Sequence, residues 1–184
     1  MDRDIVVRAR AGDRDAFSML ATASIGRLNA VARLIVRDDG RAEDAVQDAL
    51  VDAWLDLPAL RDPDRFDAWL NRLLINACHN VTRRSGRQWR VEVPLQPIDS
   101  PSIPDIQTTN AIADEIERGF RRLTIEQRSV LVLIYYLDLS LADAAATMGV
   151  PVGTLKSRLN RSLKALRASL EADTRPRYSA EHLA

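Results

Sequence analysis

The sequence predicts an all-α protein, built from two small helical domains that an extended, proline-rich linker joins. Apolar residues recur at i, i+3, i+4 and i+7 through nearly every patterned segment, which is the spacing of one helix face. The pattern stops where prolines remove backbone donors from helix and sheet alike, at Pro94, Pro97, Pro101 and Pro104. A helix-turn-helix spacing follows it. The predicted divisions are a domain at 1–88, a linker at 89–108, a domain at 109–172 and a disordered tail at 173–184.

The composition indicates a soluble protein without a metal or cofactor. The 184 residues are 46% hydrophobic and 28% charged, and no apolar run approaches the roughly 18 residues of a membrane span. The single cysteine, Cys78, excludes an internal disulfide and fits a reducing cytoplasm. Two histidines and one cysteine are too few for an ordinary zinc site, and no glycine-rich phosphate-binding motif is present. We therefore expect a cytoplasmic protein that is not an enzyme, with no membrane insertion.

The first domain begins with two successive helices. Asp13 is a candidate N-cap for a long helix that we expect to end at Asp38-Asp39-Gly40. In the next helix, RAEDAVQDALVDAWLDL at 41–57, alanine, valine, leucine and tryptophan form the apolar face. The opposite face carries four acids at intervals of four residues: Asp44, Asp48, Asp52 and Asp56. Like charges at this spacing repel by roughly 0.2–0.5 kcal/mol per pair. Folding alone does not require such an acid stripe, so it indicates a surface that binds a partner.

The last helix of the first domain, 65–84, has a polar face suited to nucleic acid. Its predicted buried face contains Phe66, Trp69, Leu70, Leu73, Leu74, Ala77, Cys78 and Val81. Amides and guanidiniums that can contact splayed bases and a single-stranded backbone make up the other face, with Arg72, Asn76, His79, Asn80, Arg83 and Arg84. A face that only solubilises the helix has the same composition, and this segment alone does not separate the two interpretations.

The second domain contains the helix-turn-helix. Residues 109–123 predict a helix with Ile112, Ile116, Phe120 and Leu123 on one face, and Thr124 to Gln127 have the spacing of a capping box. Ser140 is a candidate cap for a short helix, and Gly149 stands where a helix C-terminus favours a left-handed residue. A longer helix follows from Pro151, for which we expect a buried stripe of Leu155, Leu159, Leu163, Leu166 and Leu170.

The positions of the charged residues are more informative than the net charge of the chain, which is zero. Five basic residues and no acid lie within 154–167: Lys156, Arg158, Arg161, Lys164 and Arg167. Arginine and lysine contact guanine edges or phosphates, and asparagine reads adenine, so this helix is a candidate for the major groove. A solvated basic face in a helical bundle is the alternative, which the absence of acids and the turn spacing disfavour.

Two segments of the chain resemble the sigma-70 family. The segment from Gly40 to Arg84, with AEDAVQDA, resembles its region 2, and LTIEQRSVLVLIYYLDLSLADAAATMGVPVGTLKSRLNRSLKALR resembles its region 4. The absence of an intervening region is similar to the extracytoplasmic-function (ECF) type. The resemblance implies a sigma factor that binds core RNA polymerase, at the β′ clamp helices and β flap, and directs initiation at promoter DNA. It also implies an anti-sigma partner.

The resemblance assigns residues to three surfaces. It implies that Asp44, Gln47 and Asp48 bind core polymerase. The −10 element would meet loop 59–64 and the polar face of 65–84, with Arg61, Asp62, Arg72, Asn76, Asn80 and Arg83. The −35 duplex would meet Thr154, Lys156, Ser157, Arg158, Asn160, Arg161 and Lys164. Two alternatives remain at this stage, a helix-turn-helix regulator that acts without polymerase and a helical scaffold that binds only proteins.

Overall fold

The computed structural model describes the backbone of residues 1–88 and 115–174, with side chains at 1–84 and 115–172. These ranges contain α-helices and no strand, which confirms the predicted all-α class. The helices are α1 (Arg3–Arg10), α2 (Arg14–Val36), α3 (Asp39–Asp56), α4 (Phe66–Gln88), α5 (115–121), α6 (Ile125–Leu131), α7 (Leu141–Met148) and α8 (Val152–Thr174). Two 3₁₀ turns lie between α3 and α4, and one π-helical turn, Val132–Tyr136, continues α6. The predicted linker and residues 175–184 of the predicted tail lie outside the described residues.

The helices of the first unit, residues 1–88, differ from expectation in two places. Helix α1 was not predicted; it buries Val6 and Ala9 against its neighbours, so the alternating charges around them are its exposed face. The end expected at Asp38-Asp39-Gly40 was wrong, because α2 ends at Val36 and Arg37 takes the left-handed conformation, with φ 61°. Asp38 caps the next helix instead, accepting a hydrogen bond from the backbone N–H of Arg41.

The core of the first unit forms where α2, α3 and α4 pack together. The small residues Ala42, Ala45, Ala49 and Ala53 are fully buried and let α3 approach its neighbours closely. Of the predicted α4 face, Trp69 and Leu73 are half-buried and the other members are buried. Helix α2 is long and apolar enough by length and composition to cross a membrane. Its buried residues lie in this core.

The second unit, residues 115–174, has the predicted caps but a different buried stripe. The capping box of Thr124 and Gln127 is present, and Gly149 ends α7 with φ 64°. Leu163 was predicted to be buried and is 36% exposed, whereas Ser162 is buried. A residue seven positions after Leu155 lies about 20° from it around the helix, but one eight positions after it lies about 80° away. Helix α8 runs to Thr174, so the first two residues of the predicted tail are helical.

The two units pack against each other. Their buried apolar residues form one contiguous cluster, to which α6, α7 and α8 contribute Val130, Val132, Leu133, Ala144, Ala145 and Leu155. Helix α6 contacts α2 and α4, and α7 contacts α4. Ile116, predicted on the inner face of α5, is instead 46% exposed, while Phe120 on the same helix packs against the cluster.

Candidate protein-binding and nucleic-acid interfaces

The acid stripe lies beside an apolar groove. Asp44, Asp52 and Asp56 are exposed on α3, as is Gln47. Between α2 and α3 a groove of about 540 Å³ opens to solvent, lined by Phe17, Ala21, Ile25, Asn29, Glu43, Val46, Gln47, Leu50, Val51, Trp54 and Leu55. Phe17 and Trp54 pack edge to face in its wall, with ring centroids 5.0 Å apart. A surface that combines an apolar groove with exposed acids fits an amphipathic, basic partner helix.

The sequence had not predicted the apolar half of this surface. Val51 is 52% exposed and Leu55 is 67% exposed, so neither contributes to the core. The signal was present in the spacing, because these two residues stand four apart between the acid stripe and the buried face. Contiguous exposed apolar side chains of this kind often mark a site where another molecule binds.

Asp48 differs from the rest of the stripe. Its carboxylate is 3.2 Å from the Nη1 atom of Arg84, which reaches across from α4. Arg84 is the more exposed partner, so the pair is largely solvated and contributes little to stability. Within the predicted polymerase-binding set, Asp44 and Gln47 are therefore the exposed members, and Gln47 also lines the groove.

The predicted −10 residues fall into two groups, one on α4 and one in the connection that precedes it. Arg72, Asn76, Asn80 and Arg83 are exposed along α4. The guanidinium of Arg83 donates to the side-chain carbonyl of Asn80, at 3.2 Å. Arg61 and Asp62 are exposed in the connection from α3, where Asp62 caps the short turn Pro63–Arg65. The surface offers amides and guanidiniums rather than stacked aromatic rings.

His79 and Cys78 belong to a different environment from the exposed residues of α4. The Nε2 atom of His79 lies 3.1 Å from the hydroxyl oxygen of Ser129 on α6. Burial, and then the nearby Arg83 charge, hold the pKa of His79 below its usual value. Burial also raises the pKa of the Cys78 thiol to about 12, which keeps it protonated and unreactive. Within the described ranges no cluster of possible metal ligands occurs.

The predicted −35 residues lie along the outer face of α8. Lys156, Ser157, Asn160, Arg161 and Lys164 are exposed, and Thr154 is half-buried. The preceding turn sets the direction of α8: Ser140 caps α7, and Gly149, in the left-handed conformation, turns the chain into α8. A helix held by a rigid turn, with a basic exposed face, is the element that enters a DNA major groove.

Arg158 alone among the predicted −35 residues is held by an acid. Its Nη1 atom lies 2.6 Å from the Oε1 atom of Glu126 on α6, and its side chain is 28% exposed. An arginine in such a pair can contact a phosphate only by exchanging partners. Arg158 is therefore less available to DNA than Arg161 or Lys164 in this conformation.

Comparison with known families identifies the chain. The family profile for sigma-70 region 2 matches residues 20–88, and that for sigma-70 region 4 matches residues 113–166. Together they cover about two thirds of the sequence. The chain belongs to the sigma-70 family. It is a sigma factor of the ECF type, which binds core RNA polymerase and directs transcription initiation.

Relatives with known names support this assignment over nearly the whole length. The ECF RNA polymerase sigma factor SigM of Mycobacterium tuberculosis is 34% identical over 161 residues, which are 88% of this chain and 80% of SigM. SigW of Bacillus subtilis is 23% identical over 176 residues, covering 90% and 94%. Since region 2 is matched as well as the helix-turn-helix, a regulator that acts without polymerase is not favoured.

Two solved structures resemble this sigma factor. CnrH, determined in complex with the cytosolic domain of CnrY, has a TM-score of 0.65 and 28% identity, covering 94% of this chain and 99% of CnrH. RpoE of Bartonella quintana, determined with the anti-sigma factor NepR, has a TM-score of 0.66 and 27% identity, covering 85% and 98%. The predicted two-part architecture of regions 2 and 4 agrees with these matches.

Proposed function

We propose that this sigma factor binds core polymerase through Asp44, Gln47 and Asp48 on α3 together with the adjacent groove. The observation that carries the proposal is the position of exposed acids beside exposed Val51 and Leu55. A basic partner helix with one apolar face, as implied for the β′ clamp helices, would remove the mutual repulsion of the acids. It would also cover the apolar groove. Attraction between opposite charges accelerates such an encounter.

The test compares two charge reversals of the same chemistry. Asp44→Arg, next to the groove, should weaken binding to core polymerase by about tenfold or more, because attraction becomes repulsion. Asp56→Arg is the matched control, since this acid belongs to the same stripe but not to the predicted polymerase-binding set. Val51→Ser tests the apolar part without disturbing the core. Equal affinities for Asp44→Arg and the control, in folded proteins, would refute the assignment.

The exposed face of α8 binds the −35 duplex. Arg161 reads a base edge and Lys164 contacts a phosphate, while Thr154, Lys156, Ser157, Arg158 and Asn160 complete the surface. Loss of the phosphate contact in Lys164→Ala should lower the log–log salt slope by about 0.9 at every sequence. Arg161→Ala should instead relax preference at one base pair, at a cost of roughly 1–3 kcal/mol. A binding-site selection that returned the wild-type motif with Arg161→Ala would contradict the base-reading role.

The −10 strand binds the exposed amides and arginines of α4 and the connection that carries Arg61 and Asp62. The described side chains of α4 include no row of exposed aromatic residues, so binding depends on specific capture of an unstacked base, which costs a few kcal/mol to extrude. Asn80→Ala should impair strand opening while leaving −35 duplex binding unchanged. A premelted bubble template should restore much of the lost transcription. Equal losses on duplex and bubble templates would remove Asn80 from this role.

The protein acts in the cytoplasm and performs no chemistry itself. It also contacts the polymerase β flap through the second unit.

An anti-sigma factor regulates this sigma factor, as its likeness to CnrH and RpoE, both determined in complexes, suggests. An anti-sigma factor that inhibits by covering α3 would compete with core polymerase. A purified candidate should then lose affinity for Asp44→Arg in parallel with core; retention of full affinity would place its site elsewhere.

A further inference from the structure

Loop 59–64, which lies between α3 and α4, is held at its start by α1. The Nη1 atom of Arg10 donates a hydrogen bond to the carbonyl oxygen of Leu60, at 3.1 Å. The Leu60 side chain is buried, and its backbone N–H donates to the carbonyl oxygen of Leu57. The side chain, the N–H and the carbonyl oxygen of this residue are therefore all fixed immediately before Arg61.

A second, weaker contact joins α1 to the loop on the other side of Arg61 and Asp62. The Nε atom of Arg3 is 3.4 Å from the Oδ1 atom of Asp64, and 62% and 67% of the two side chains are exposed. A pair this accessible to solvent contributes little to stability. Of the two contacts, the one from half-buried Arg10 is therefore the one that can hold the loop.

The position of Arg10 on α1 follows from helical periodicity. Val6 is fully buried, and Arg10, four residues later, lies on the same side of the helix. Arg8 lies on the opposite side and pairs with Asp13 at the N-cap of α2, at 2.6 Å. The family profile for region 2 begins at residue 20, so the contact with the loop comes from a helix that this profile does not cover.

A loop that captures one unstacked base binds it better if the loop is held in place beforehand. Extruding the base already costs free energy, and ordering the loop at the same moment would add an entropic cost. Hydrogen bonds from residues behind a binding loop remove that cost when they fix its backbone. A charged donor makes a stronger hydrogen bond than a neutral one, so an arginine suits this task.

We propose that α1 braces loop 59–64 for the capture of a −10 base, and that Arg10 is the positioning residue. The proposal rests on the −10 assignment of this loop given above. Arg10 does not touch the base; it acts through the carbonyl oxygen of Leu60, which directs the chain into Arg61 and Asp62. Loss of the Arg10 side chain therefore loosens the loop without removing a group that contacts DNA.

Hydrogen exchange in the full-length protein tests the brace without DNA. The N–H groups of Leu60 and Arg65 both donate to carbonyl oxygens within the connection between α3 and α4. Arg10→Met has an unbranched side chain without a donor, and exchange at both groups should be about three- to tenfold faster, as expected for the loss of one hydrogen bond. Arg8→Met is the matched control, because it removes the same charge from the same helix. Wild-type exchange rates in Arg10→Met would overturn the proposal.

Binding of −10 strands to the holoenzyme, formed with core polymerase, tests the function. The probes are single-stranded oligonucleotides that cover the −10 element of a promoter that the holoenzyme transcribes. Each probe has an abasic site at a different position, and the site that weakens wild-type binding most marks the captured base. Arg10→Met should lower affinity for the intact strand by about three- to tenfold. Affinity for the strand that lacks the captured base should stay nearly unchanged, because the loop then has no base to hold.

This coupling between residue and base distinguishes positioning from a role in folding or net charge. A general role would make Arg10→Met weaken binding to both strands by the same factor, and that result would overturn the brace. The brace would also fall if Arg8→Met showed the same coupling as Arg10→Met. If Arg10→Met did not fold, Arg10→Lys would replace it. Its single ammonium lacks the planar fork of arginine, so a loss of about twofold should be confined to the intact strand.

Arg61→Ala separates failure of the brace from failure of the −10 assignment. Arg61 lies in the loop itself, so its loss should also weaken binding mainly to the intact strand. Coupling for Arg61→Ala without coupling for Arg10→Met would overturn the brace and leave the assignment in place. Equal losses on both strands for both variants would overturn the assignment of the loop, and the brace with it.

Discussion

The ion pair between Arg158 and Glu126 gives a quantitative prediction for promoter binding. The two side chains meet at 2.6 Å, with 28% and 50% of their surfaces exposed. Glu126→Gln keeps the shape of the side chain but removes its charge. Arg158 should then turn from α6 toward the DNA phosphates, since no acid competes for it, and −35 affinity should rise.

The size of the effect follows from the exposure of the pair. Pairs this accessible to solvent contribute roughly 0.2–1 kcal/mol. Release of that amount should increase affinity for a −35 duplex by about 1.4- to fivefold. One added phosphate contact should also steepen the log–log salt dependence by about 0.9.

The assay is fluorescence anisotropy of a labelled −35 duplex with the full-length protein, across a series of salt concentrations. Removing an acid also weakens general repulsion of DNA, so the same substitution is measured in an Arg158→Gln background. There the change in salt slope should disappear, and only the general effect should remain. An equal gain in both backgrounds, or an unchanged slope in the wild-type background, would refute the idea that Glu126 restrains Arg158.

Two further predictions concern stability. Gly149→Ala should destabilise the protein by about 1–2 kcal/mol in urea unfolding, because φ is 64° and an added Cβ meets no atom within 4 Å, so the whole cost is backbone strain. Gly153→Ala, in α8 and equally open, should stabilise it by roughly 0.4–1 kcal/mol; losses at both positions would contradict this reasoning. For His79 the folded pKa lies below the unfolded value of 6.5, so the folded state binds fewer protons and stability falls as pH drops below about 6.5. The urea midpoint should therefore decrease between about pH 7.5 and about pH 5.5, and less so in His79→Gln; an identical decrease in both proteins would remove His79 as the cause.

The sequence predicted most of the helix caps and the turn between α7 and α8. The cap at Asp13, the capping box of Thr124 and Gln127, and the left-handed turn at Gly149 each depend on a few neighbouring residues, so short-range chemistry decides them. The acid stripe and the basic face of α8 follow from helical periodicity alone. The prediction that Leu163 is buried was wrong, because residues spaced strictly four apart move progressively around the helix and away from its buried side.

Partners across the fold were decided by tertiary structure. The sequence placed Arg158 among free DNA-binding residues and Asp48 among free acids, but Glu126 and Arg84 pair with them from other helices. Such pairs depend on how helices distant in sequence are brought together, which periodicity does not encode.

The same limit applies to the groove and to the contact between the units. Val51 and Leu55 read as ordinary members of an apolar helix, and only the packing of α2 against α3 leaves them uncovered. Arg128 carried no signal at all, because its partner, the carbonyl oxygen of Ile35, is a backbone group 93 residues away. The sequence by itself determined which helices form and which faces are charged. Long-range packing decided which of those faces remain open, because burial depends on neighbours that the local pattern does not contain.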